Sequence, residues 1–202
     1  MIIPEFKPAE PAMVPAPMAP QPFSAKLDET LLKSGTFYLN GEFNDEHITP
    51  LVKQITAMSM LEEKQRPEQI TIHINSPGGT VWNLWQLTEV IAASKIPVST
   101  VCSGLAASCG FLLLMSGHKG LRFATKNASL MSHQYAWGSK GKHHELVAKQ
   151  DEFKRSEKRM VEHYVKHTKK TKTYILKHLL PATDVWMDAS AAKKHGVIDK
   201  VI

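Results

Sequence analysis

Cysteine is scarce in this 202-residue chain: Cys102 and Cys109, both in one apolar stretch, are the two present. That is neither the spaced, even set of a secreted disulfide scaffold nor a zinc-ligand pattern, and it suits a reducing compartment. Long apolar runs are lacking too. The longest candidate, Phe111 to Met115, falls far short of the ~20 residues of a membrane span, so no membrane association is expected. No Gly-x-x-x-x-Gly-Lys-Ser/Thr occurs, which leaves the chain without a phosphate-cradling loop of its own. The first residues have no basic start followed by a continuous apolar segment, and they carry Glu5 and Glu10 but no Arg. Neither a secretory leader nor an organelle transit peptide is expected, and a cytoplasmic location follows. The net charge is +6, but the basic residues from Lys126 to Lys200 are interspersed with acids rather than gathered in one block. Nucleic acid is therefore not an expected partner.

What is present suits one core. The chain is 43% apolar and long enough for a single sizeable domain. Residues 1–22 hold seven of the twelve prolines, so the segment 1–24 is expected to be a proline-rich tail or leader, with the domain at 25–202. From Thr36 the pattern alternates. A strand at Thr36 to Leu39 and a helix from Asp45 to about Lys64 lead to Ile70-Thr71-Ile72-His73-Ile74-Asn75, where isoleucines alternate with polar residues as in a half-buried strand. Ser76-Pro77-Gly78-Gly79 breaks the chain before a second helix. The cycle repeats with β-rich Val98 to Ser103, a break at Gly104, and helix-prone Ala106 to Met115. Short strands at Leu121 to Thr125 and Ser129 to Ser132 follow. A long charged helix is expected from Glu145 to His167, and a shorter one from Lys172 to Leu180. A small helix closed by Gly196 and a last strand from Val197 to Ile202 complete the chain. Alternating strands and helices predict an α/β fold.

Ser108 follows the break at Gly104, among the small residues Ala106, Ala107 and Gly110, in the expected first turn of a helix. Free backbone N–H groups and the helix dipole there favour a developing anion. A small serine that merely lets helices pack closely would read the same way. His163 and His167 have the i, i+4 spacing of metal ligands, but Tyr164 stands where a zincin has Glu, so a solvated helix face is expected and no metal or cofactor. His143-His144-Glu145 also reads as surface.

Three segments carry more. Ile74-Asn75-Ser76-Pro77-Gly78-Gly79, Gly104-Leu105-Ala106-Ala107-Ser108-Cys109-Gly110 and Met131-Ser132-His133-Gln134 resemble, in order and spacing, the signature segments of the Clp proteolytic-subunit family. So do Asp184-Val185-Trp186-Met187-Asp188-Ala189 and His195-Gly196-Val197-Ile198-Asp199. The resemblance runs with gaps from about Leu31 to the C-terminus. It implies a crotonase-like β-β-α spiral with a protruding helical handle at about 134–172. It also implies a catalytic triad of Ser108, His133 and Asp184, with the N–H groups of Gly79 and Cys109 as oxyanion hole. Gly78 and Gly79 would pair with an extended substrate strand. Asp188 competes for the acid's role but reads better as a helix N-cap, and Cys109 reads as a small apolar neighbour rather than a reactive thiol. The family's assembly would be heptameric rings, single or stacked as a tetradecamer, fed with unfolded chains by a separate AAA+ unfoldase.

Two departures qualify this. The proline-rich tail and Lys26-Leu27-Asp28-Glu29-Thr30 replace the family's axial loops. In the handle, Gly138 and Gly141 fit its glycine-containing strand, but Glu145 replaces the usual aspartate and Thr183 the arginine that pairs with it across rings. Two rival functions are an inactive or modulatory ring subunit that co-assembles with another proteolytic subunit, and an acyl-CoA hydratase or isomerase of the same superfamily. The latter needs a carboxylate or similar acid-base group at the site.

Overall fold

A computed structural model describes residues 23–202, and the proline-rich segment at 1–22 lies outside it. Seven strands form one sheet: β1 Thr36–Asn40, β2 Ile70–Ser76, β3 Val98–Ala107, β4 Arg122–Ala124, β5 Ser129–Ser132, β6 Val185–Met187 and β7 Lys200–Val201. Seven helices join them: α1 Phe23–Lys33, α2 Asp45–Met60, α3 Val81–Ala93, α4 Cys109–Met115, α5 His143–Thr168, α6 Lys172–His178 and α7 Ala189–His195. The expected α/β class is borne out. Among the described residues no helix is long and apolar enough to cross a membrane.

The main path of the sheet is β1-β2-β3-β4-β7, every pair parallel. Alternation in β2 buries Ile70, Ile72 and Ile74 on one face, each worth roughly 1.5–3 kcal/mol on removal from water. β3 is the organising strand. Its first half pairs with β4 through Thr100 to Cys102, and its second half pairs with β5 through Leu105 to Ala107. On the other edge its register to β2 shifts between Ile74↔Cys102 and Ser76↔Ala106, a bulge that lengthens β3. The Asn75 side chain fills the bulge by accepting the Leu105 N–H at 3.1 Å, and a Cβ on Gly104 would lie 2.7 Å from the same oxygen. Gly104 is thus the point where β3 bends, not its end. The expected helix from Ala106 starts three residues later, because Ala106 and Ala107 are still paired in the sheet.

Other corrections are local. α1 occupies Phe23–Lys33, a stretch read as tail and replaced axial loop, and is tied by a Lys33–Glu29 ion pair at 2.6 Å. β6 was expected as loop. Among the described residues no strand forms across Gly138 and Gly141, and residues 133–142 pair with no strand of the sheet. There, Tyr135 and Trp137 lie against Phe153 of α5, with ring centroids 5.2 and 5.1 Å away.

Candidate active site

The bend in β3 sets the position of Ser108, which lies between the last residue of β3 and the first of α4. Its backbone has φ 54° and ψ −120°, a conformation that costs a non-glycine residue about 1–3 kcal/mol. Three contacts impose it. The Ser108 N–H donates to the Met131 carbonyl at 3.0 Å, continuing the β3–β5 ladder, and the Ser108 carbonyl accepts the Leu112 N–H at 3.1 Å. From the third side comes Gly78, whose φ is 105°; a Cβ there would stand 2.6 Å from Ser108 Cβ and 3.0 Å from the Cys109 nitrogen. Only glycine fits.

His133 follows β5 directly, so the same ladder that holds Ser108 delivers the imidazole. Its Nε2 lies 2.8 Å from Ser108 Oγ. The end of β5 is anchored from below: the Ser132 hydroxyl donates to the Leu179 carbonyl and meets Tyr164 Oη of α5 at 2.6 Å. Burial pushes the Tyr164 phenol well above its ordinary range, so it stays a neutral partner. Ser132 and Tyr164 were not singled out from sequence. A serine beside a matched histidine and a tyrosine on an amphipathic face carry no local signal of a shared bond.

The Gly78-Gly79-Thr80 segment runs beside Phe43. The Phe43 N–H donates to the Gly78 carbonyl at 2.7 Å and the Thr80 N–H to the Phe43 carbonyl at 2.8 Å. Alternation in an extended chain then turns the N–H and C=O of Gly79 to the opposite side, towards α4. There the Cys109 thiol donates to the Gly79 carbonyl at 3.2 Å. Cys109 is the first residue of α4, so its own N–H has no acceptor within the helix. Burial pushes its thiol up to about 11, which makes it a poor thiolate at neutral pH. A cavity of about 150 Å³ opens over these groups, lined by Gly79, Ser108, Cys109 and His133 with Leu112 and Met160 behind them. No Asp or Glu lines it.

Asp184 is not joined to this pair. It is exposed, and among the described residues no hydrogen bond or ion pair links it to His133. Yet β5 and β6 pair antiparallel in the register Leu130↔Met187, Met131↔Trp186 and Ser132↔Val185. One more step along the ladder sets Asp184 opposite His133, at the position of a direct cross-strand neighbour. Asp188 does what its N-cap reading expected: its carboxylate accepts the Ala191 N–H at 2.7 Å at the start of α7.

The remaining expectations divide. His143, His144 and Glu145 are exposed. His163 and His167 are not on a solvated face. His163 Nε2 lies 3.0 Å from Ser116 Oγ and 3.2 Å from the Leu112 carbonyl, and its ring meets Trp85 edge-on. Burial pushes His163 down to about 4. Glu145 is engaged within its own helix end, where its carboxylate accepts the Lys142 N–H at 3.0 Å.

A serine hydroxyl in hydrogen-bond contact with an imidazole, at a strained strand-to-helix turn beside free backbone N–H groups, is the arrangement found in serine-nucleophile hydrolases. The family model for Clp protease matches residues 22–202. The chain belongs to the Clp protease family.

Proposed function

We propose that the chain is a serine endopeptidase, with Ser108 as nucleophile and His133 as general base. The observation that carries this is the 2.8 Å contact between Ser108 Oγ and His133 Nε2, built by the β3–β5 ladder and the Gly78 turn. Ser108 Oγ attacks the scissile carbonyl carbon while His133 takes its proton. The carbonyl oxygen, now an oxyanion, receives the N–H groups of Gly79 and Cys109. His133 then returns the proton to the leaving amine, and a water repeats the cycle on the acyl-enzyme. Asp184, at the next cross-strand position, orients the imidazole once its carboxylate turns inward.

Substrate recognition is through backbone. An extended peptide lies along Gly78 and Gly79; the Gly78 carbonyl is held by Phe43, whereas the Gly79 carbonyl accepts only the weak Cys109 thiol, which a substrate N–H can displace, and such backbone pairing places few demands on sequence. Unfolded proteins and short peptides are the substrates of this reading. The site works inside heptameric rings, single or stacked in pairs, and a separate AAA+ unfoldase feeds it. The domain spans 25–202, preceded by the proline-rich segment.

One observation favours a second reading. The open His133–Asp184 contact suits a modulatory subunit that becomes competent only within a mixed ring. An acyl-CoA hydratase or isomerase is disfavoured, because no carboxylate lines the cavity. Labelling with a fluorophosphonate probe separates the three. Labelling that Ser108→Ala and His133→Ala both abolish, together with loss of peptide hydrolysis on the order of 10⁶-fold, is expected. Hydrolysis that persists in clean Ser108→Ala protein sinks the serine mechanism.

A further inference from the structure

A second cavity, of about 310 Å³, shares no residue with the first. It lies between the turn from α4 to β4 and the C-terminal end of α5, and is lined by His118, Lys119, Arg122, Lys166, His167 and Lys169 with Ala92, Ser116 and Gly117. Four cations line it and no carboxylate does. We propose that this cavity binds a small phosphoryl-bearing anion.

Of the polar side chains around it, His118, Lys166 and Lys169 keep donors to spare. His118 Nδ1 accepts the Val98 N–H at 2.6 Å, so the ring proton sits on Nε2 and His118 has a donor left over. The Ser116 hydroxyl proton is spent on the Leu112 carbonyl at 2.7 Å. Arg122, 1% exposed, fixes the frame: it donates to both carboxylate oxygens of Asp199 and to the carbonyls of His167 and Gly196. Asp199 is consumed by Arg122, Lys119 and the Gly120 N–H, while Glu89 and Glu162 line an adjoining cavity that shares Ala92, Ser116, Lys166 and His167 with this one. Lys166 and Lys169 pair with no acid among the described residues. His167 registers the resulting field. Burial first, then His163, Lys166, Arg122 and Lys169, push it down to about 3. A donor-rich cavity with surplus positive charge answers a compact, multiply charged oxyanion better than a neutral or cationic ligand.

The test titrates the full chain with inorganic pyrophosphate by calorimetry near neutral pH, against sodium chloride of matched ionic strength. One pyrophosphate per subunit is expected, with affinity about tenfold weaker in Lys166→Ala/Lys169→Ala. Neither residue touches the catalytic cavity, so unchanged peptidase activity shows that the variant is folded, and Lys119→Ala serves as a second, milder variant. Saturation must also shift the NMR signals of the His118 and His167 rings at neutral pH. Equal affinity in the double variant, unshifted ring signals, or no binding beyond the chloride control would each overturn the site.

Discussion

Ser108 and Asp184 flank the same histidine and are held in opposite ways. The backbone of Ser108 is bonded to Met131 on one side and Leu112 on the other, with Gly78 pressed against its Cβ. Asp184 sits in an exposed connection after Pro181, and its side chain makes no hydrogen bond among the described residues. Ser108 is placed by the sheet itself, so a single chain suffices to position it. Asp184 is placed only to the level of strand register, and its final rotamer is left to whatever packs against that connection.

The largest effect that probes this contrast is at the loosely held end. If Asp184 turns in to His133 in the working enzyme, Asp184→Asn lowers kcat on the order of 10⁴-fold by stabilising the wrong imidazole tautomer. Asp188→Ala, by contrast, removes the α7 cap and lowers stability by about 1 kcal/mol with kcat unchanged. Steady-state kinetics and urea melts on both proteins decide the matter. A dead Asp188→Ala beside an active Asp184→Asn would reverse the assignment.

The tightly held end is probed next. Gly78→Ala puts a methyl where Ser108 Cβ and the Cys109 nitrogen already stand, at a φ of 105° that side chains rarely adopt. The Ser108 turn must shift, and a displacement near 1 Å costs on the order of 10²-fold in rate. Probe-labelling rates measure it, and wild-type labelling by Gly78→Ala would show that the turn is less constrained than its contacts indicate.

A smaller effect concerns the packing of α5. His163 and His167 are half-buried, with pKa values pushed down to about 4 and 3, while the unfolded chain protonates histidine near 6.5. Their contribution is therefore fully present above about pH 6.5 and is lost as pH falls towards 4, because the unfolded state binds protons first. Urea melts between pH 6.5 and 5, where carboxylates scarcely titrate, should show stability falling with pH. His163→Gln, which still offers a donor to the Leu112 carbonyl, should flatten part of that slope. His167, with His73 and His195, all lowered mainly by burial, supplies the remainder. An unchanged slope in His163→Gln would mean that its ring is not buried in solution.

Much of this was legible in the residues. The strand-turn-helix repeats around Gly79 and Ser108 are local, and local signals place Ser129–Ser132, the start of α2 at Asp45 and the Gly196 stop without reference to the fold. Ser108 and His133 were legible through matched segments, since no propensity selects one serine from many. What failed depended on partners distant in sequence. The extension of β3 past Gly104 needs the Asn75 side chain, thirty residues away. β6 has three residues and exists because β5 offers an edge. The burial of His163 depends on Ser116 and Trp85, which helical spacing does not reveal.

The smallest expected effect concerns assembly, where exposed acids also decide the outcome. In the family an acid and an arginine pair across rings; here Glu145 and Thr183 stand at those positions. Glu145 is not left bare, for it closes a cap with the Lys142 N–H, so keeping it apart from a cross-ring partner carries little penalty. Stacked rings of the proposed kind would lose one attraction without gaining a repulsion. A salt- and concentration-dependent mixture of heptamers and tetradecamers is expected. Thr183→Arg should shift it towards tetradecamers only modestly, because a new guanidinium must compete with the cap, and Glu145→Gln should abolish that shift. Native mass spectrometry across a salt series measures both. A tetradecamer that withstands high salt in the wild type would show that other handle contacts, with the exposed Trp137 and Val147 among the candidates, hold the rings without this pair.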